Sequence, residues 1–163
     1  MIKEINGVQR NLGLMDFCVD KLSSRMAVMV FDSFTMSKKK VKDVNNVDVE
    51  TYVFSVSCTN TFNNRQIKVD VAYVTENKVI LEEAERKKKA NIFEKVFIDF
   101  EDCVLGHYRS GSGDFSQVAQ TYKAERVKIL SNDEAQAIFR KAEAENNVTN
   151  IADQIKNEKQ QHK

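Results

Sequence analysis

The chain has no proline, five glycines, three cysteines and two histidines among its 163 residues. Cys18, Cys58 and Cys103 are odd in number and far apart. They form no CxxC pair and no metal-ligand spacing, which excludes a disulfide framework and leaves no metal site to expect. With His107 and His162 as the only imidazoles, no Ser-His-Asp or Cys-His arrangement can be identified. No stretch approaches the roughly 18–20 apolar residues that cross a bilayer. The opening MIKEINGVQRNLGLMDF lacks a signal-peptide core. A soluble, cytoplasmic protein with no membrane partner is expected. The formal net charge of +1 excludes a polycation, so affinity for nucleic acid has to come from local patches.

What is present fits one globular domain: 42% hydrophobic and 9% aromatic residues in a chain too short for two comfortable cores. Residues 1–25 carry scattered apolar positions and are taken as an N-terminal extension. From Met26 to Met36, MAVMVFDSFTM is rich in β-branched and aromatic residues and predicts a strand. SKKKVKDVNNVDVE has the composition of a long loop. Tyr52, Phe54, Val56 and Cys58 then alternate with mostly polar residues, as do Ile67, Val69, Val71 and Tyr73. The Asn-rich NTFNNRQ between them supplies turn chemistry, so a hairpin is expected.

The pattern changes at ENKVILEEAERKKKAN, where good helix formers and the stripe Ile80, Leu81 and Ala84 predict a helix. KVFIDFEDCVL returns to strand, with Val96, Ile98 and Phe100 on one side and Phe97, Asp99 and Glu101 on the other. LGHYRSGSGDFS concentrates two of the few glycines, Gly111 and Gly113, between aromatic and basic residues, and reads as a mobile hairpin tip. In the closing strand YKAERVKIL, Val127 and Ile129 face opposite to Tyr122, Arg126 and Lys128. Ser131 and Glu134 have capping-box spacing, and Ala135, Ile138, Phe139 and Ala142 follow at helical intervals. Asn146 and Asn147 interrupt, and Val148, Ile151 and Ile155 mark a weaker stripe. Residues 131–163 are expected to be a C-terminal helix with a solvated tail.

This order, and above all ERKKKANIFEKVFIDFEDCVLGHYRSGSGDFSQVAQTYKAERVKIL, resembles the oligonucleotide-binding (OB) barrel of bacterial single-stranded-DNA-binding proteins. The resemblance is one of layout and covers residues 26–130. It implies a mainly β (α+β) fold: a five-stranded Greek-key barrel with a helix between strands three and four, and a C-terminal helical extension. It also implies a non-catalytic accessory protein that binds single-stranded DNA, or RNA, without a cofactor. Those bacterial proteins end in an acidic tail with a terminal hydrophobic residue. This chain ends in QQHK, so a plasmid or phage relative fits better than a housekeeping replication protein.

A strand-gripping surface needs cations along the phosphates and rings for the bases. The candidates are Lys38, Lys39 and Lys40, with Lys42, in the first inter-strand loop, and Phe62 and Arg65 in the second. Tyr108, Arg109 and Phe115 lie on the glycine hairpin, Tyr122, Arg126 and Lys128 on the strand after it, and Phe97 on a polar strand face. Each has a plain alternative. The lysine run can be a solvated loop, Phe97 can pack beneath the C-terminal helix, Tyr122 can be barrel wall, and Phe115 can anchor its own hairpin. Arg86 to Lys89 follow Glu82, Glu83 and Glu85, so i,i+4 pairing accounts for them.

SGSGD departs from the Walker spacing. Asp99, Glu101 and Asp102 beside His107 raise a metal-dependent nuclease, but alternation splits them between faces, and a solvent-facing acidic edge is the expectation. The alternative function is a protein-interaction module on the same barrel. In it the C-terminal helix would hold a partner or a second copy.

Overall fold

The computed structural model describes residues 1–110 and 117–161, with side chains described there except at 108–110, 117–118, 146–154 and 156–161. The strands are β1 (Ile2–Ile5), β2 (Val8–Asn11), β3 (Phe17–Lys21), β4 (Met29–Lys42), β5 (Asp48–Asn60), β6 (Gln66–Ala72), β7 (Phe97–Ser110) and β8 (Gln117–Ile129). The helices are α1 (Thr75–Ala90) and α2 (Asn132–Gln161), with a 3-10 turn at Leu22–Ser24.

The fold is mainly β. One six-stranded sheet has the order β3-β7-β4-β5-β6-β8, and β7 also pairs with β8, so its two sides meet. One edge of β7 carries β8, while the other carries β4 at Phe97–Ile98 and β3 at Glu101–Leu105. The fold is therefore not the bare five-stranded barrel expected, because β3 joins the sheet and β1 and β2 form a separate two-stranded sheet. Counting from the N-terminus, α1 follows the sixth strand rather than the third.

Period-two alternation builds the interior. Phe54, Val56 and Cys58 of β5 and Val69 and Val71 of β6 point inward to meet Phe31, Ile98, Phe100 and Leu105, with Leu81 and Ala84 of α1 closing one end. A row of rings, Phe31, Phe34, Phe54, Tyr73 and Tyr52, runs from this core to the surface with centroids 4.9–6.4 Å apart. Cys58 and Cys103 are small buried fillers, and burial pushes both thiols up to about 12.

Asn77 pins α1 to the sheet. Its Nδ2 donates to the carbonyls of Ala72 (2.8 Å) and Glu125 (2.9 Å), and its Oδ1 accepts from the Val127 N–H at 3.3 Å. This amide is fully buried, and its three bonds tie α1 to the end of β6 and to the interior of β8 while satisfying its own polar atoms.

The lysine-rich segment is strand, not loop. β4 continues to Lys42, paired residue for residue with β5 from Asp48, so the two form an arm that runs past the core. The chain reverses at Asp43, whose Oδ1 accepts from Asn45 (2.8 Å) and Val47 (2.9 Å), with Asn46 left-handed at φ 60°.

β1 and β2 are joined by Asn6-Gly7, left-handed at φ 53° and 85°, the geometry of a type I′ hairpin turn. This hairpin lies over the outer face of β5 and β6. The Thr51 Oγ1 donates to the Asn6 carbonyl at 3.4 Å, and the Asn6 Nδ2 donates to the Asp70 carbonyl at 3.4 Å. It also holds the one point where the β7–β8 ladder lapses, at Asp102 and Glu125. Lys3 pairs with Asp102 at 2.9 Å, and the Asn6 N–H donates to Glu125 at 2.6 Å.

The C-terminal helix starts with the expected capping box: Ser131 N–H to Glu134 Oε2 at 3.0 Å, and Glu134 N–H to Ser131 Oγ at 3.2 Å. It runs through Asn146 and Asn147 without the expected break. Its first turns cover a second small core of Val28, Leu130, Ala135, Phe97 and Ile138.

Candidate nucleic-acid interface

β6 and β8 are parallel and share the ladder pairs Asp70–Lys123 and Val71–Ala124. Before those pairs the strands part, and the loop after β5 rises beside them. The result is an open groove of about 670 Å³. Its floor is apolar: Met26, Ile67 and Tyr122 line it and also rest on the main core. Its walls carry Lys39, Arg65, Lys68 and Lys123, with the amides of Asn60, Asn63, Gln66 and Gln120.

Strand parity puts the cations there. Lys39 and Ser55 lie on the outer face of β4 and β5, and Lys68 and Asp70 on the outer face of β6. Among the described residues, none of Lys39, Arg65, Lys68 and Lys123 is within ion-pair distance of a carboxylate. Burial lowers the Lys123 ammonium from its usual range, with repulsion from Arg10 acting in the same direction. Asp70 is raised, chiefly by burial, against the opposing pull of Lys39, Lys123 and Lys68. The Tyr122 phenol is raised by burial and donates to the Gln120 Oε1 at 2.8 Å.

The expected site residues divide sharply. Lys39, Arg65 and Tyr122 meet in the groove. Lys38 and Lys40 point to the other face of the arm and pair with Glu50 (2.9 Å) and Asp48 (3.5 Å). Lys42 pairs with Asp48 at 2.8 Å, and that bond holds the carboxyl below its usual range. Phe62 stacks on Phe139 of α2, with centroids 5.4 Å apart and planes 13° from parallel, so one of its faces is occupied. Phe97 packs in the second core beneath α2, because the outer face of β7 there is covered rather than solvated.

Arg126 bonds Glu101 at 3.4 Å, and Lys128 pairs with Glu134 at 3.6 Å; both lie away from the groove. The side chains of Tyr108 and Arg109 and the whole of Phe115 lie outside the described residues, as does the glycine tip. The residues that sequence reasoning missed are Lys68, Lys123 and the amides. Lys68 was legible as the outward partner of Val69 in an alternating strand. Lys123 was not, since parity in β8 switches at Glu125: both Ala124 and Val127 are buried.

The acidic trio does not form a metal centre. Asp99 is buried, contrary to a solvent-facing edge, because its carboxylate accepts from Ser23 N–H (3.0 Å) and Oγ (2.6 Å). Glu101 and Asp102 bond Arg126 and Lys3 respectively. No group of three His, Cys, Asp or Glu side chains gathers among the described residues, and none of their helices is long and apolar enough to cross a membrane.

No protein-family model, curated protein or solved structure matches this chain.

Proposed function

We propose that the protein binds single-stranded nucleic acid, DNA in the first instance, in the groove between β6 and β8, and does so without chemistry of its own. One observation carries this reading. Four cations, none within ion-pair distance of a carboxylate among the described residues, line one concave surface whose floor holds a tyrosine, whereas neighbouring lysines on the other face of the same strand are neutralised by acids. Cations left free to meet phosphates, beside a ring and amides that can meet bases, are the requirements of strand binding with little sequence preference.

The pairing pattern supports the same reading. Taken from β4 onward, five strands return on themselves through β4–β7 and β7–β8, with α1 between the third and fourth. That connectivity suits an OB-like Greek-key barrel carrying three added N-terminal strands. Such barrels bind oligonucleotides across their second and third strands, here β5 and β6, which supply Ser55, Lys68 and Asp70 to the groove.

The test is a fluorescence-anisotropy titration with oligo-dT at low and raised salt. Binding that weakens steeply with salt is expected. No binding at low salt overturns the proposal.

A further inference from the structure

We infer that the strand site continues out of the groove onto the C-terminal end of α1, where Lys87, Lys88 and Lys89 and the ring of Phe93 form a second contact zone. This rests on the nucleic-acid reading of the groove. The link is geometric. Gln66, which lines the groove, donates its Nε2 to the Asp32 Oδ2 at 3.3 Å, and Lys88 donates its Nζ to the Asp32 carbonyl at 2.5 Å. The groove's end and the helix's end therefore meet at one residue of β4. The Asp32 carboxylate also accepts from the Thr59 Oγ1 at 2.7 Å, so neutral donors already engage it.

The charges are available. Pairing along α1 accounts for Lys78 with Glu82 and Arg86 with Glu83, and for no other lysine of that helix among the described residues. Residues 86–95 are exposed without a break. Cations in a last helical turn complement the helix dipole, which explains the three lysines but not the apolar pair just beyond them. Ile92 and Phe93, 79% and 92% exposed, stand on a built turn. Asn91 Oδ1 accepts from Phe93 N–H at 3.1 Å, and Asn91 O accepts from Glu94 N–H at 3.2 Å.

A ring held out in water by its own backbone, beside the Lys87 and Lys89 ammoniums that no carboxylate engages among the described residues, is a stacking platform set next to a phosphate track. An anionic bilayer also meets lysines and apolar tips. The strand is favoured because Lys88 is tied back toward Gln66 rather than projecting beside the tip.

The experiment compares full-length wild type with Phe93→Ala and with Lys87→Gln/Lys89→Gln on two oligo-dT lengths. One is of about 8 nucleotides, within what a single barrel covers, and one of about 24. Both variants are expected to bind the long oligonucleotide about three- to tenfold more weakly and the short one as wild type does. Equal affinities for both lengths, or equal losses on both, overturn the inference while the groove reading stands. Wild type that binds neither length overturns both. Co-sedimentation of wild type with phosphatidylserine-containing vesicles, abolished by Phe93→Ala while long-oligonucleotide binding is unchanged, assigns the tip to lipid and also overturns it.

Discussion

Asp70 and Lys123 face each other as register partners across the parallel β6–β8 pair, yet both are shifted toward their neutral forms. A stabilising ion pair would shift them the other way; burial outweighs attraction here. A carboxyl raised in the folded state contributes stability that is present at acid pH and lost as pH rises through the raised value. Asp70→Asn removes that loss. Thermal unfolding should show the variant more stable than wild type near neutral pH, and equal to it well below the usual carboxylate range. The same variant should bind oligo-dT more tightly, since a negative charge leaves the groove.

Neighbouring lysines on one strand should behave oppositely. Lys39→Gln is expected to weaken oligo-dT binding and to reduce the slope of log affinity against log salt by about 1. Lys38→Gln, which removes a partner of Glu50 on the other face, should leave both quantities unchanged. Titrations at several salt concentrations separate the two.

Phe62 and Phe97 should register in stability rather than in binding. A double-mutant cycle on Phe62 and Phe139 is expected to give a coupling of about 0.5–1.5 kcal/mol from their stacked rings. Phe97→Ala opens the small core under α2 and should cost about 2–4 kcal/mol in denaturant unfolding, with oligo-dT affinity retained.

Asn77→Ala removes two hydrogen bonds to carbonyls and one from an N–H at the junction of α1, β6 and β8. Losing these three buried bonds is expected to cost about 2–4 kcal/mol, read by urea unfolding.

How much of this was legible depended on whether the signal was local. Alternation at Tyr52–Cys58 and Ile67–Tyr73 placed β5 and β6, and Ser131 with Glu134 marked the start of α2, because each pattern lies within one element. Lys38 to Lys42 read as loop because composition cannot distinguish a solvated loop from a strand arm whose charges pair across it; those partners, Asp48 and Glu50, lie beyond a turn. Asn6-Gly7 between IKEI and VQRN was a hairpin signal in plain view, masked by scattered apolar positions. The cover over Phe97 and the stacking of Phe62 on Phe139 join residues far apart in sequence, and nothing local announces them. Of the candidate site, Lys39, Arg65 and Tyr122 were reachable by residue type, but only the parting of β6 from β8 brings them together.

The most direct measurement of where a strand lies is photocrosslinking of an iodouracil-substituted oligonucleotide, with adducts mapped by mass spectrometry. Adducts on Tyr122 and on the segment spanning Asn60 to Lys68 are the expected result. Adducts confined to the Lys38–Lys40 face of the arm or to α2, or none at a salt concentration where the complex forms, would contradict a binding site between β6 and β8.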